Sequence, residues 1–169
     1  MEHRQQPDQT PDIRTADGFG VAVKQIERLL FAASYSILGN SDACADAVQN
    51  ALMKAWENRS NLRDRARFKS WMVQIVQNES KNFLRRKPNL PLDESIPGKE
   101  TNQDRFDVKR ALAKLPEPAR LIVMLYYFER YSVKDICAIL RLPEGTVHSR
   151  LARAREQLRK ELPDYASKR

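Results

Sequence analysis

The stretch from residue 132 to residue 162 carries the pattern that most restricts the fold of this chain. Ser132, with Asp135 three residues later, has the spacing of a capping box at the start of a helix. A Leu-Pro-Glu-Gly turn follows, and Thr146 is the expected cap of a second helix. Two short helices joined in this way predict a helix-turn-helix. Apolar residues recur at every third or fourth position of both helices and define their inner faces, namely Ile136, Ile139, Leu140, Val147, Leu151, Ala154 and Leu158.

The outward face of the second helix is polar and basic. In a helix-turn-helix the start of the second helix enters the major groove, where arginine binds guanine and flanking cations contact phosphates. A solvated basic helix without a ligand is the alternative, but the complete pattern of cap, turn and second helix favours DNA contact. The candidate DNA-binding residues at this end of the chain are Thr146, His148, Ser149, Arg150 and Arg153.

The rest of the chain also predicts helices. Apolar spacing from Phe19 indicates a helix that ends near Gly39, Ser41 or Asp42 can cap a second one, and a third runs from Phe68 until Pro88 stops it. Further on, a short helix is expected over 107–114. The apolar run 121–128 has the length of a buried strand, but its helix-forming neighbours and an early proline favour a buried helix.

These elements predict an all-α protein made of two small helical domains. Residues 1–17 are polar and contain two prolines, so a disordered tail is expected. The first domain spans 18–87 and the second, with the helix-turn-helix, spans 105–163, followed by a tail at 164–169. Residues 88–104 contain three prolines and no periodicity, which predicts a flexible linker that lets the domains move independently.

Composition narrows the classes of function. A formal charge of +8 favours a polyanionic partner, either nucleic acid or an anionic membrane surface. No stretch has the length of a membrane span and no secretory signal opens the chain, so a cytoplasmic protein is expected. Cys44 and Cys137 stand far apart and are expected as small core residues, although a redox role stays open. Without a catalytic, metal-binding or phosphate-binding motif, we expect neither an enzyme nor a cofactor, and no small-molecule substrate.

The stretch IVMLYYFERYSVKDICAILRLPEGTVHSRLARAREQL resembles the fourth conserved region of the extracytoplasmic-function (ECF) sigma factors of bacterial RNA polymerase. In that family this region reads the minus-thirty-five promoter element. The first domain is similar to the second conserved region of the same family. The similarity rests on the order and spacing of four short segments, at residues 46–50, 55–56, 68–72 and 78–86.

This resemblance implies the roles of further residues. It assigns the contact with core RNA polymerase to Asp46, Gln49 and Asn50. Minus-ten recognition and strand opening are assigned to the loop at 61–69 and to the helix that follows it. Amides there suit extruded bases, and cations suit single-stranded backbone. These candidate residues are Asn61, Arg63, Arg67, Lys69, Asn78, Lys81, Asn82 and Arg85. The resemblance also implies promoter DNA as a ligand and control by an anti-sigma factor, which could hold the chain at the membrane.

The chain departs from the family at several positions. Phe-Arg-Gly is frequent in the family where this chain has Leu62-Arg63-Asp64, and acidic residues are common where Ala45 and Asn50 stand. Lys or Arg is usual at His148, and glycine is frequent at Arg130.

Trp56 and Trp71 could stack on melted bases, but both stand on apolar stripes and are expected in the core.

Three alternative classes of protein stay open. A stand-alone helix-turn-helix repressor or response regulator would leave the first domain unexplained, and no heptad or other dimer face is evident. A sigma-like decoy that binds an anti-sigma factor without directing transcription normally carries an added signalling domain. An enzyme is the third alternative.

Overall fold

The structure is a computed structural model that describes residues 11–91 and 102–162, with the backbone alone for 102–106. All regular structure in these two ranges is helical, which confirms the all-α prediction. Residues 1–10 of the first predicted tail, all of the predicted tail at 164–169 and most of the predicted linker lie outside the described residues. The first half of the chain forms α1 (Ala16–Gln25), α2 (Glu27–Leu38), α3 (Ser41–Asn58) and α4 (Phe68–Arg86), and two 3-10 turns, Arg59–Asn61 and Arg65–Arg67, lie between α3 and α4.

The first helical segment differs from the prediction in one respect. The helix expected from Phe19 to Gly39 is broken at Ile26, which has φ −120° and ψ 12° and donates to the carbonyl of Val23. The break reorients the chain so that Phe19 of α1 and Leu30 of α2 both reach one core. Gly39 ends α2 with φ 59°, a left-handed conformation that favours glycine.

The cap of α3 was also predicted at the wrong residue. Asn40, and not Ser41 or Asp42, accepts the hydrogen bond, from the backbone N–H of Ala43 at 2.9 Å. Ser41 and Asp42 lie in the first turn, where the carboxylate interacts favourably with the helix dipole.

The predicted tail ends earlier than residue 17. Ile13 is buried in the core, and Thr15 caps α1 by accepting from the N–H of Gly18 at 3.1 Å. Asp12 forms an ion pair with Arg65 at 2.6 Å, which ties this segment to the loop before α4. Residues 12–17 therefore belong to the folded part of the chain.

The second half forms α5 (Asn102–Ala113), α6 (Glu117–Val123), α7 (Val133–Leu140) and α8 (Glu144–Glu161). A π-helical turn, Met124–Phe128, continues α6. The α5 helix begins inside the predicted linker. The apolar run 121–128 is helical as predicted but only partly buried, since its last three aromatic residues, Tyr126, Tyr127 and Phe128, are 37–49% exposed.

The helix-turn-helix is confirmed, with one correction at its turn. Ser132 and Asp135 form the predicted capping box at the start of α7. Thr146 does not cap α8, because the helix already begins at Glu144 and the carbonyl of Pro143 accepts from the N–H of Thr146 at 3.0 Å. Arg141 ends α7 in the left-handed region with φ 53°.

Arg130 occupies the turn before α7 with φ 60°. A non-glycine residue is strained in this conformation, typically by about 1–2 kcal/mol. This geometry gives a physical reason for the frequency of glycine at this position in the family that the sequence resembles.

The two halves of the chain pack against each other. One continuous cluster of buried apolar residues includes Leu30 and Val73 from the first half together with Leu121, Leu125 and Ile136 from the second. In the described part of the chain, α2 contacts α6 and α4 contacts α7. This packing differs from the expectation of two domains that move independently, because a turn-rich linker does not reveal contacts between the elements on either side of it.

Candidate nucleic-acid interface

The α8 helix presents the face predicted to bind DNA. Val147, Leu151 and Ala154 are buried against the core, so the opposite face of the helix is left to solvent. Of the five predicted residues, three are exposed and Thr146 and Arg150 are half-buried. Arg153 is exposed and, among the described residues, forms no hydrogen bond or ion pair.

Two polar side chains at the start of α8 have partners within their own helix. Ser149 donates from Oγ to the carbonyl of Thr146 at 3.1 Å. The Nε2 atom of His148 lies 3.4 Å from Oε1 of Glu144. Both residues remain exposed, so their side chains can rotate to a ligand without disturbing the core.

The four arginines of the loop between α3 and α4 differ in what they contact. The guanidinium of Arg59 lies 3.5 Å from the ring centroid of Trp56, and Arg65 is paired with Asp12, so both hold the loop in place. Arg63 and Arg67, the two predicted DNA contacts, are exposed. Arg67 forms an ion pair with the nearby Asp64, at 3.2 Å.

Both tryptophans pack against the core as expected. Trp56 is half-buried, meets Phe19 edge to face at 5.4 Å between centroids, and carries Arg59 on its ring. Trp71 is half-buried beside Phe68. A base could stack on Trp56 only after Arg59 had moved away.

The α4 helix carries the predicted minus-ten residues at the spacing of one helical face. Asn78 and Lys81 are exposed, and Lys81 forms an ion pair with Glu117 of α6 at 3.1 Å. Asn82 and Arg85 hydrogen-bond to each other. These positions are separated by three or four residues, so they lie one above the other along the helix.

Lys69 and Asn61 lie apart from that row. Lys69, in the first turn of α4, is exposed and its Nζ lies 5.9 Å from the ring centroid of Tyr131. Burial raises the pKa of the Tyr131 phenol, and Glu129 and Asp135 raise it further. Asn61 is exposed in the first 3-10 turn, where its amide donates to Asn58 at 3.4 Å.

The predicted polymerase-binding residues form a stripe on α3. Asp46, Gln49 and Asn50 are exposed, and Met53 extends the same stripe with 59% of its surface exposed. Met53 was not predicted as a site residue, although its position three residues after Asn50 could have indicated it. The face of α3 that packs on the core is made of small residues, namely Ala43, Cys44, Ala47, Ala51 and Ala55.

Sequence reasoning also missed Glu79, which lies between the α3 stripe and the α4 row. Its side chain is only 8% exposed, and its Oε1 accepts from Lys54 at 2.6 Å and from Asn82 at 3.2 Å. A groove with a volume of about 700 Å³ lies beside these residues. Its lining residues come from both helices: Asn50, Met53, Lys54, Glu57, Glu79, Asn82, Arg85 and Arg86.

The described ranges also bear on metal binding, on membrane crossing and on the two cysteines. Residues 11–91 and 102–162 contain no group of three or more His, Cys, Asp or Glu placed to hold a metal ion. Within the same ranges, no helix combines the length and the apolar character that crossing a membrane requires. Cys44 is buried in the core, as predicted, and Cys137 is half-buried.

Comparison with known proteins places both halves in one family. The Sigma-70 region 2 family model matches residues 22–88, and the Sigma-70 region 4 model matches residues 105–158. The ECF RNA polymerase sigma factor SigW of Bacillus subtilis is 28% identical over 169 residues, which cover 88% of this chain and 90% of the relative. The ECF RNA polymerase sigma-E factor of Escherichia coli K12 is 31% identical over 134 residues, covering 67% of this chain and 70% of the relative.

The chain belongs to the ECF sigma factors. The fold agrees with this assignment. The sigma factor RpoE of Bartonella quintana, solved in complex with the anti-sigma factor NepR, superposes with a TM-score of 0.71 at 26% identity, covering 91% of this chain and all of that one. Members of this family are transcription initiation factors, and the helix-turn-helix of this sigma factor lies in its region 4.

Proposed function

We propose that this ECF sigma factor uses three separate surfaces to start transcription. The α3 stripe of Asp46, Gln49 and Asn50 binds core RNA polymerase. The loop and α4 bind the minus-ten element through Asn61, Arg63, Arg67, Lys69, Asn78, Lys81, Asn82 and Arg85. The outward face of α8 binds the minus-thirty-five element through Thr146, His148, Ser149, Arg150 and Arg153.

One observation carries this proposal above the others. The exposed polar or basic faces of α3, α4 and α8 stand opposite inner faces that are buried in the core. Each helix therefore can bind a partner without unfolding. The basic loop adds the cations that single-stranded backbone requires.

We also propose the arrangement of the chain and its regulation. The region 2 domain comprises residues 18–87 together with the folded residues 12–17. The region 4 domain comprises residues 105–163 together with the start of α5 at Asn102, and the rest of 88–104 is the linker. Because RpoE of Bartonella quintana is held by an anti-sigma factor in its crystal structure, we infer similar control for this chain. The protein acts in the cytoplasm as a binding factor, without catalysis of its own.

Run-off transcription tests the proposed function. Purified core polymerase is assayed with and without the full chain on a library of candidate promoters, and transcripts that depend on the chain are expected. A repressor would bind DNA but would not add activity to core polymerase. A decoy would bind an anti-sigma factor and yield no transcript, so the absence of chain-dependent transcripts across the library contradicts the proposal.

A further inference from the structure

We propose that Glu79 is a positioning residue that sets the side chains of Asn82 and Arg85 for reading the minus-ten strand. The inference rests on the proposed role of α4 in minus-ten binding. It adds a residue that does not itself face DNA. The proposal is carried by a chain of polar contacts that runs from Lys54 through Glu79 and Asn82 to Arg85.

The burial of Glu79 is the first step. With 8% of its side chain exposed, Glu79 stands among buried residues on a helix whose other inward positions are Phe68, Ser70, Met72, Val73, Val76 and Ser80. A buried carboxylate loses hydration and is retained only when other groups compensate it. Lys54 compensates the charge of Glu79 from α3, at 2.6 Å, while remaining 54% exposed.

The chemistry of the carboxylate then determines the orientation of Asn82. An ionised carboxylate only accepts hydrogen bonds, so Asn82 must turn its Nδ2 group toward Glu79, at 3.2 Å. Its Oδ1 atom consequently points away, and it accepts from Nη2 of Arg85. Without Glu79 the two ends of the amide could exchange places, and Arg85 would lose the acceptor that restrains it.

This orientation matters for recognition because an amide distinguishes bases by the pattern of its donor and acceptor. One N–H of Asn82 and the remaining donors of Arg85 are left for a ligand. Glu79 thus fixes which edge of Asn82 a base meets. The same contacts join α4 to α3 at Lys54, four residues after Asn50 of the polymerase-binding stripe, so the oriented pair is held to the helix that contacts the polymerase.

A purely stabilising role fits Glu79 less well. An apolar residue of similar volume would fill the same space without the desolvation cost of a charge, and such replacements are often neutral or stabilising. Lys54 would stay half-exposed and hydrated after that change. Glu79→Met is therefore expected to fold, which makes it suitable for a functional test.

The experiment measures how holoenzyme, formed from core polymerase and the full chain, discriminates among single-base variants of the minus-ten element in a forked promoter. We expect Glu79→Met to reduce discrimination at one position on the order of tenfold, while core binding and the circular dichroism spectrum stay unchanged. Glu79→Gln keeps an acceptor for Asn82, so it should retain most of the discrimination. The matched control is Glu57→Met, because Glu57 is an exposed carboxylate that lines the same groove.

The Asn82→Ala background decides whether Glu79 acts through Asn82. There, Glu79→Met should have no further effect on discrimination. An equal additional loss in that background, a loss as large with Glu57→Met, or unchanged discrimination by folded Glu79→Met would each overturn the inference.

A second measurement separates this inference from the proposed function. In nuclear magnetic resonance spectra of the free chain, the side-chain N–H signals of Asn82 should shift in Glu79→Met and stay in place in Glu57→Met. Wild-type chain that fails to direct core polymerase overturns the proposed function. Asn82 signals that do not respond to Glu79→Met overturn the inference about Glu79 even when transcription is normal.

Discussion

Arg120 of α6 donates a hydrogen bond from Nη1 to the backbone carbonyl of Ser36 in α2, over 2.7 Å. The same guanidinium donates to the carbonyls of Leu112, Ala113 and Leu115, between 2.8 and 2.9 Å, so it also holds the connection between α5 and α6. Burial lowers the pKa of Arg120 and nearby Glu117 opposes this shift, but a guanidinium stays protonated at neutral pH. One side chain therefore joins the two halves by hydrogen bonds to backbone carbonyl groups, which are present whatever the side chains are.

Replacing Arg120 with methionine should destabilise the chain. The variant keeps most of the apolar stem but removes four charge-assisted hydrogen bonds, so we expect a loss of about 2–3 kcal/mol. Urea denaturation measures the change, and hydrogen exchange should show faster exchange in α6 and at the end of α2. The control is Arg155→Met, at an exposed arginine of α8. Equal stability of the two variants would show that the four contacts add nothing.

Glu117 should compete with DNA for Lys81 in the free chain. The two side chains form an ion pair at 3.1 Å and both are at least 36% exposed, so the pair is worth about 0.2–1 kcal/mol. Glu117→Gln should therefore increase the affinity for single-stranded minus-ten DNA by up to about fivefold. Fluorescence anisotropy at fixed salt measures this, and Lys81→Met should abolish the gain. A gain that persists in the double variant would assign the effect to net charge alone.

The capping box at the start of α7 should make stability depend on acid pH. Hydrogen bonds from the side chain and backbone of Ser132 lower the pKa of Asp135 below its ordinary value of 3.8, and Lys69 and Lys134 lower it further. A lowered pKa in the folded state gives stability that is present above pH 3.8 and lost as the pH falls through the folded value. Asp135→Asn should remove this component. Side-chain carboxyl titration by nuclear magnetic resonance checks it, and a pKa at or above 3.8 would contradict it.

Asp46→Arg should weaken binding to core polymerase by about tenfold or more, because it reverses the charge of the one carboxylate among the three residues of the α3 stripe. Titration of labelled chain with core polymerase measures the affinity. Asp17→Arg makes the same change of charge on α1, away from the stripe, and should bind normally. If both variants bind equally well, the stripe does not contact the polymerase.

Arg153 is expected to read a base, and Arg150 a phosphate. Arg153 is exposed without a partner among the described residues, whereas Arg150 is half-buried at the side of α8. Arg153→Ala should cost about 1–3 kcal/mol and relax discrimination at one position of the minus-thirty-five element, while Arg150→Ala should weaken all sequences alike. Holoenzyme binding to single-base promoter variants at fixed salt distinguishes the two, since salt changes such affinities. Uniform weakening by Arg153→Ala would show that it does not read sequence.

Several features could be predicted because they depend on residues close together in the chain. The capping box of Ser132 and Asp135, the end of α2 at Gly39 and the inner face of α8 each follow from a few neighbouring positions. The cap of α3 shows the limit of such reasoning. Asn40, Ser41 and Asp42 can all cap a helix, and the choice depends on where the chain leaves Gly39, which side-chain preference does not determine.

The helix-turn-helix and the polar faces could be predicted from the sequence, because periodicity and spacing are local properties of the chain, and the resemblance of two stretches to known regions indicated the family. What those faces contact depended on the tertiary structure. It placed Arg59 on Trp56, buried Glu79 between Lys54 and Asn82, and joined the two halves through Arg120. The physical reason is that Glu79 and Arg120 look like ordinary helix-surface charges in sequence. Their burial and their partners exist only after helices distant in the chain have packed together.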